Sequence, residues 1–224
     1  MPAYGSLLRM KKIGVIGSGQ VGEVLANGFL KHGYEVMRGS REPSKLEAWQ
    51  KSAGAKAQVG DFAATAKFGE IVVLGVKGTA AEAVVEQAGL ENLSGKTILD
   101  ATNPITDAPP VNGVLAYFTG PNESLMERLQ KKAPGAHFVK AFSSVGSPNF
   151  VNPDFGGTRP TMFICGDDAG AKKEATDILA QFGWDSEDMG GVASARAIEP
   201  LCILWCISGF LQNRWTHAFK VLTR

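Results

Sequence analysis

Gly17-Ser18-Gly19-Gln20-Val21-Gly22 has the residue types and spacing of a phosphate-cradling loop, G-x-G-x-x-G. With 27 glycines in the chain the pattern alone says little, so its setting has to give it weight. The short apolar run from Lys12 to Ile16 ends where the loop begins, and an amphipathic stretch opens where it stops. In that setting Gly17 permits a tight turn, Gly19 lets a pyrophosphate approach the backbone, and Gly22 lets a helix pack closely on a strand. The helix N-terminus then directs free N–H groups and a partial positive charge at the phosphates. A dinucleotide is the ligand this chemistry predicts; a bare glycine turn is the alternative.

The end of the second strand bears on which dinucleotide. NAD sites place an Asp or Glu there to hold the ribose 2′-hydroxyl. Here the sequence is Met37-Arg38-Gly39-Ser40-Arg41, with no acid before Glu42. A carboxylate would repel a 2′-phosphate, whereas Ser40 donates one hydrogen bond and Arg41 offers a planar fork. Lys45 adds positive charge from the following helical turn. These residues predict NADP(H) over NAD(H). Two more strand ends face the same crevice, one carrying Val76 and Lys77, the other Asn103 ahead of Pro104.

Carbonyl reduction usually needs a proton donor beside the hydride acceptor. None is recognisable. Tyr4, Tyr34 and Tyr117 have no lysine four residues on, and His32, His137 and His217 sit at positions that favour structural roles. No catalytic residue is therefore assigned. Hydride exchange between two bound redox rings needs orientation and water exclusion more than a protein acid. The small residues Ser143, Ser144 and Val145, after a strand, suit a flat ring lying against a nicotinamide. Two other readings remain: reduction of a small imine or carbonyl substrate by an unrecognised donor, and a non-catalytic NADP-binding sensor. Cys202 and Cys206 lie four apart in an apolar run, with no His or Cys cluster to complete a metal site, so no metal is expected.

The elements that must position these residues alternate. Strands are expected at 12–16, 34–38, 55–59, 71–76, 97–101, 137–142, 161–165 and 184–188, with helices at 21–32, 43–52, 79–87, 123–132 and 169–182. Loops rich in Pro and Gly fill 107–122 and 143–159, and 194–222 is expected to be mostly helical. Alternation of this kind means a Rossmann-type, doubly wound, mostly parallel α/β sheet. The expected division is an NADP-binding domain over 1–190 and a small C-terminal helical region over 191–224, for substrate or dimer contact.

Composition excludes several classes. Lys plus Arg number 23 against 22 Asp plus Glu, a net charge of +1 that argues against nucleic acid or an anionic membrane as partner. Hydrophobic residues at 44% can build a substantial core, which excludes a disordered chain. Met1 to Arg9 lacks the apolar centre of a signal peptide. The longest apolar stretch, Leu201 to Phe210, is about half the ~20 residues of a membrane span. A soluble, cytoplasmic protein is expected, with the apolar C-terminal helix available as a homodimer contact.

Taken together, the motifs resemble the reductases that exchange hydride between NADP and the deazaflavin coenzyme F-420. The likeness rests on the Gly17–Gly22 loop, Gly39-Ser40-Arg41, Asp100-Ala101-Thr102-Asn103-Pro104, Val139-Lys140-Ala141-Phe142, Cys165-Gly166-Asp167-Asp168 and Ala195-Arg196-Ala197-Ile198-Glu199-Pro200-Leu201. It runs from Lys12 to the C-terminus. The resemblance implies a Rossmann domain with a small C-terminal region, a homodimer, and NADP contacts from Ser18 to Val21, Ser40, Arg41, Lys45, Val76 and the loop at Ser147. Deazaflavin-using members tend to carry a histidine near the ring where this chain has Ser143. The resemblance implies F-420 as the second partner, and the departure at Ser143 leaves that space open to a flavin, a quinone or a small imine instead. Similar N-terminal domains occur in pyrroline-5-carboxylate reductases and ferric reductases.

Overall fold

Short apolar strands separated by glycine-stopped helices assemble into one parallel sheet. The computed structural model describes residues 11–224; the expected arm Met1–Arg9, and the signal-peptide question that rests on it, lie outside the described residues. The strands are β1 (Lys12–Ile16), β2 (Glu35–Gly39), β3 (Ala57–Gly60), β4 (Ile71–Leu74), β5 (Thr97–Asp100) and β6 (His137–Lys140), in the order β3-β2-β1-β4-β5-β6, all parallel. The β4 run Ile-Val-Val-Leu is buried along its whole length, as a strand covered on both faces requires.

Alternation along the strands feeds two cores. Ile13, Val15, Val73 and Leu99 pack with α1 (Gln20–Lys31), α2 (Glu47–Ala53) and α7 (Ala169–Gln181) on one face. Ile16, Val72, Leu74 and Ile98 pack with α3 (Phe62–Phe68), α4 (Gly78–Ala88), α5 (Leu90–Leu93) and α6 (Leu125–Lys132) on the other. The chain leaves β1 toward β2 and later returns to lay β4 on β1's other side. The carboxyl ends of β1 and β4 thus form the topological switch point where α/β sheets bind ligands.

Several local expectations shift. Helix α3 is not foreseen from the apolar spacing; its signal is Asp61, whose side chain caps the helix by accepting from the Ala64 N–H at 2.7 Å. Strands β7 (Thr161–Ile164) and β8 (Asp185–Asp188) form a separate parallel pair, joined to the main sheet by an antiparallel bridge between Lys140 and Cys165. The C-terminal segment is helical only in α8 (Ala195–Ile198) and α9 (Pro200–Gln212). Asn213 then turns left-handed at φ 51°, and the chain runs on without regular secondary structure. The Phe219 carbonyl accepts from the Thr161 N–H there at 2.8 Å. Apolar length is also underestimated by counting Leu201–Phe210 alone. The helical run Val192–Gln212, 21 residues, is long and apolar enough by length and composition to cross a membrane, with 28% of its most apolar window buried.

One buried charge cluster ties these parts together. The Lys140 ammonium, 0% exposed, lies 2.7 Å from Asp100 Oδ2 and 2.8 Å from Glu199 Oε1, and donates to the Thr102 carbonyl at 2.9 Å. Glu199 also accepts from the Leu125 and Met126 N–H groups, both at 3.0 Å, at the start of α6. Burial alone would lower the Lys140 pKa, but the carboxylates of Asp100 and Glu199 outweigh it and hold the group charged. Lys140→Met strands two buried carboxylates beside each other, and urea unfolding is expected to show a loss of about 3–5 kcal/mol. Neutralising the whole cluster, with Lys140→Met, Asp100→Asn and Glu199→Gln together, should recover a large part of that loss. A triple variant no more stable than the single one would contradict this account.

Candidate functional site

Three glycines shape the switch point, each for its own reason. A Cβ on Gly17 would meet the Gly75 carbonyl oxygen at 2.3 Å, so only glycine lets the loop lie against the end of β4. A Cβ on Gly22 would meet the Gly17 carbonyl oxygen at 2.3 Å, so only glycine lets α1 start this close to β1. Gly19 differs: a Cβ there meets nothing within 4 Å. Its missing side chain leaves open space beside the N-terminus of α1, where no side chain caps the first N–H groups. Uncapped donors and an open approach fit a pyrophosphate.

The space around Gly19 is one crevice with two lobes, both walled by Gly19, Gly75, Val76 and Lys77. The first lobe, about 360 Å³, adds Ser18, Ser40, Arg41 and Lys45. Ser40 Oγ accepts from the Glu42 N–H at 3.1 Å, which leaves the hydroxyl proton to donate elsewhere. Arg41 is exposed and has no ion-pair partner among the described residues. Lys45 pairs with Glu42 at 2.9 Å, so part of its charge is already answered. The second lobe, about 510 Å³, adds Gln20, Val21, Asn103 and Asp107, with Lys77 and Asp107 paired across its mouth at 3.1 Å.

Ser143, Ser144 and Val145 lie at the far end, beyond β6, and are buried rather than lining the crevice. They meet it through Asn103, whose Nδ2 donates to the Ser143 carbonyl at 3.2 Å. Asn103 Oδ1 and Ser143 Oγ are both buried without a hydrogen-bond partner among the described residues. The turn into this loop is strained, since Phe142 sits at φ 61°. Trp205 of α9 covers its other side, leaving a Cβ on Gly146 only 2.5 Å from the indole ring. Ser147 stands outside the crevice, in a short 3₁₀ turn (Ser147–Asn149) against α1.

Neither Tyr117 nor Cys165 offers a proton donor or nucleophile. The Tyr117 hydroxyl donates to the Glu199 carbonyl at 2.7 Å, and burial beside Cys202 holds it far above its ordinary range. Burial raises the Cys165 thiol to about 12, which keeps it inert. No cluster of metal-ligating side chains occurs among the described residues. Motif spacing misses one residue of the site, Arg38, which lies under the loop and is 1% exposed. Burial lowers its guanidinium pKa, and the bond to Glu23 offsets part of that.

Comparison with known proteins fits this geometry. Residues 12–104 match the family described as NADP oxidoreductase, coenzyme F420-dependent. The rat (Rattus norvegicus) metalloreductase STEAP3 is 27% identical over 190 residues, 85% of this chain, and the chain spans 36% of that protein's length. A crystal structure from Arthrobacter sp. FB24, provisionally designated an F420-dependent NADP-reductase, superposes with a TM-score of 0.87 at 28% identity, covering 96% of this chain and 100% of that one. An imine reductase from Myxococcus stipitatus in complex with NADP⁺ shares the fold at a TM-score of 0.65 and 19% identity, over 91% of this chain and 63% of that one.

The unlike surroundings of the glycines separate binding from stability. Gly19→Ala, at an extended backbone that alanine adopts freely, should change unfolding free energy by no more than about 1 kcal/mol. It should weaken dinucleotide binding about tenfold or more by filling the approach to the loop. Gly22→Ala should instead destabilise the fold by about 1–3 kcal/mol. Paired urea unfolding and NADPH titration distinguish the two, and equal behaviour of both variants would refute the assignment.

Proposed function

We propose that this chain, which over residues 12–104 matches the family described as NADP oxidoreductase, coenzyme F420-dependent, transfers hydride between NADPH and a flat redox partner, a deazaflavin of the F-420 type or a flavin. The observation that carries this is the continuous crevice from Ser40 and Arg41, past the uncapped end of α1, to Asn103 at the end of β5. Its two ends match the two ends of an extended dinucleotide in a Rossmann crevice.

In this reading Ser18, Gly19, Gln20, Val21 and Gly22 hold the pyrophosphate with backbone N–H groups. The Ser40 hydroxyl and the free Arg41 fork hold the 2′-phosphate, with Lys45 adding charge. Val76, Lys77 and Asn103 wall the nicotinamide end. Ser143, Ser144 and Val145 support the acceptor's side from below, and Ser147 continues that loop. Bound NADPH supplies the hydride chemistry itself, so the chain's task is to hold two rings in register and keep water out. No Tyr, His or Cys lines the crevice among the described residues, and Lys77 and Asp107 at the second lobe are paired with each other, which supports this over reduction of an imine or carbonyl.

The reading includes a homodimer. Leu204, Phe210 and Leu211 on α9 are 56, 44 and 60% exposed, an apolar face that a second copy would remove from water. It also includes the cytoplasm, where Cys165, Cys202 and Cys206 would stay as the free thiols they are here.

Following nicotinamide absorbance while NADPH meets F-420, FMN or a quinone tests the function. Oxidation with one ring acceptor is the expected result. Tight NADPH binding without turnover on any ring would move the assignment to an imine reductase or a sensor. Arg41→Ala should weaken NADPH binding about 10- to 100-fold while leaving NADH binding unchanged. A matching loss for both cofactors would show that Arg41 does not read the 2′-phosphate.

A further inference from the structure

Arg38 sits in β2 one strand away from the glycine loop, and its side chain runs underneath it. Nε donates to the Gly17 carbonyl at 3.1 Å, and Nη2 donates to the Ser18 carbonyl at 2.8 Å and the Gly19 carbonyl at 2.9 Å. Nη1 is 3.1 Å from Glu23 Oε2, in the first turn of α1. The guanidinium carbon lies 5.3 Å from the centre of the Trp49 ring, which is itself fixed by Nε1 donating to Asn27 Oδ1 at 2.8 Å. A fork that gathers three successive carbonyls has little donor capacity left for a ligand. It is 1% exposed, so it cannot be the residue that meets a 2′-phosphate.

Its effect is on direction. In a trans peptide the carbonyl and the next residue's N–H point opposite ways. Drawing the carbonyls of Gly17, Ser18 and Gly19 toward Arg38 therefore turns the N–H groups of Ser18, Gly19 and Gln20 away from it. Ser18, Gly19 and Gln20 line the crevice. The Gly19 carbonyl also accepts from the Glu23 N–H at 3.0 Å as α1 begins, but without Arg38 the Gly17 and Ser18 carbonyls lose this partner, and a glycine-rich turn has many other peptide orientations open to it.

We infer that Arg38 is a positioning residue for dinucleotide binding, which orients the amides of the phosphate loop from below by gathering the carbonyls of Gly17, Ser18 and Gly19. The inference rests on the dinucleotide reading proposed above and assigns a division of labour within it. Arg38 serves the pyrophosphate common to both cofactors, whereas Arg41 serves the 2′-phosphate of one. Lysine cannot replace it, because a single ammonium lacks the planar fork that reaches three carbonyls at once.

Arg38→Met and Arg38→Lys, each in the full chain, test this with four readouts. NADPH and NADH affinities should both fall about tenfold or more, with their ratio unchanged within about twofold. Binding of 2′-AMP, which carries the 2′-phosphate but no pyrophosphate, should stay within about twofold of the parent. Amide hydrogen exchange at Ser18, Gly19 and Gln20 should speed up in the ligand-free protein, and thermal melting should show each variant folded. Lysine should restore little of the lost affinity. A fall in NADPH affinity alone, an equal loss of 2′-AMP binding, or full recovery with lysine would overturn the inference. Unchanged exchange at the three amides would overturn it whatever the ligand. If the parent protein binds neither dinucleotide while the exchange effect is seen, the dinucleotide reading fails and the role for pyrophosphate fails with it, leaving Arg38 a structural support of the loop. If Arg38→Met does not fold, Arg38→Lys, which keeps the charge, carries the same comparisons.

Discussion

The structure depends on a lysine with no water around it. Lys140 closes β6, Asp100 closes β5, Glu199 precedes α9, and the first N–H groups of α6 complete the shell. A buried ammonium costs several kcal/mol to desolvate, so its partners must all be present and well placed at once. That requirement fixes how the C-terminal helices meet the sheet. It also fixes the end of β5, because Lys140 holds the Thr102 carbonyl while Asp100 Oδ1 accepts from the Thr102 N–H at 2.9 Å and hydroxyl at 2.6 Å. Asn103 follows directly and projects into the crevice. A stabilising cluster thus doubles as the mount for the crevice's far wall.

At the other end, close backbone approach sets the geometry. The loop after β1 is wedged between the end of β4 and the start of α1, with glycines where any Cβ would collide. Arg38 fills the space beneath. Its guanidinium answers the inward-facing carbonyls of Gly17 and Ser18 and shares that of Gly19 with the start of α1, so one long side chain from the neighbouring strand serves both packing and polarity. The crevice therefore spans two stiff ends, one built on glycine contacts and a buried arginine, the other on a buried lysine.

Much of this was legible in the residues. The β-branched strands, glycine stops and the Gly17–Gly22 spacing predict a doubly wound sheet, and the structure has one. Ser40 and Arg41 stand beside the loop as their place after the second strand requires, because a parallel βαβ unit leaves only one side for that turn. Other features were not legible. Helix α3 is short and its apolar spacing weak, so only the Asp61 cap announces it. The C-terminal tail carries helix-compatible residues, yet packing of Trp215 against Gly209 and pairing of Phe219 with Thr161 hold it as an irregular strap. Ser143 to Val145, small and polar enough to suggest an open platform, are buried, with Trp205 packed over the neighbouring Gly146.

Local periodicity and turn chemistry act within about a dozen residues, and at that range the sequence by itself determined the strands of the main sheet, most of its helices, the phosphate-type loop and the absence of an acid at the second strand's end. The tertiary structure alone decided what depends on groups far apart in the chain. It brought Arg38 under carbonyls some twenty residues earlier, gave Lys140 its partners 40 and 59 residues away in Asp100 and Glu199, and set β7 and β8 apart from the main sheet. A buried charge announces nothing in its own neighbourhood of sequence. Its meaning comes from the partners the fold supplies, because only they offset the loss of water.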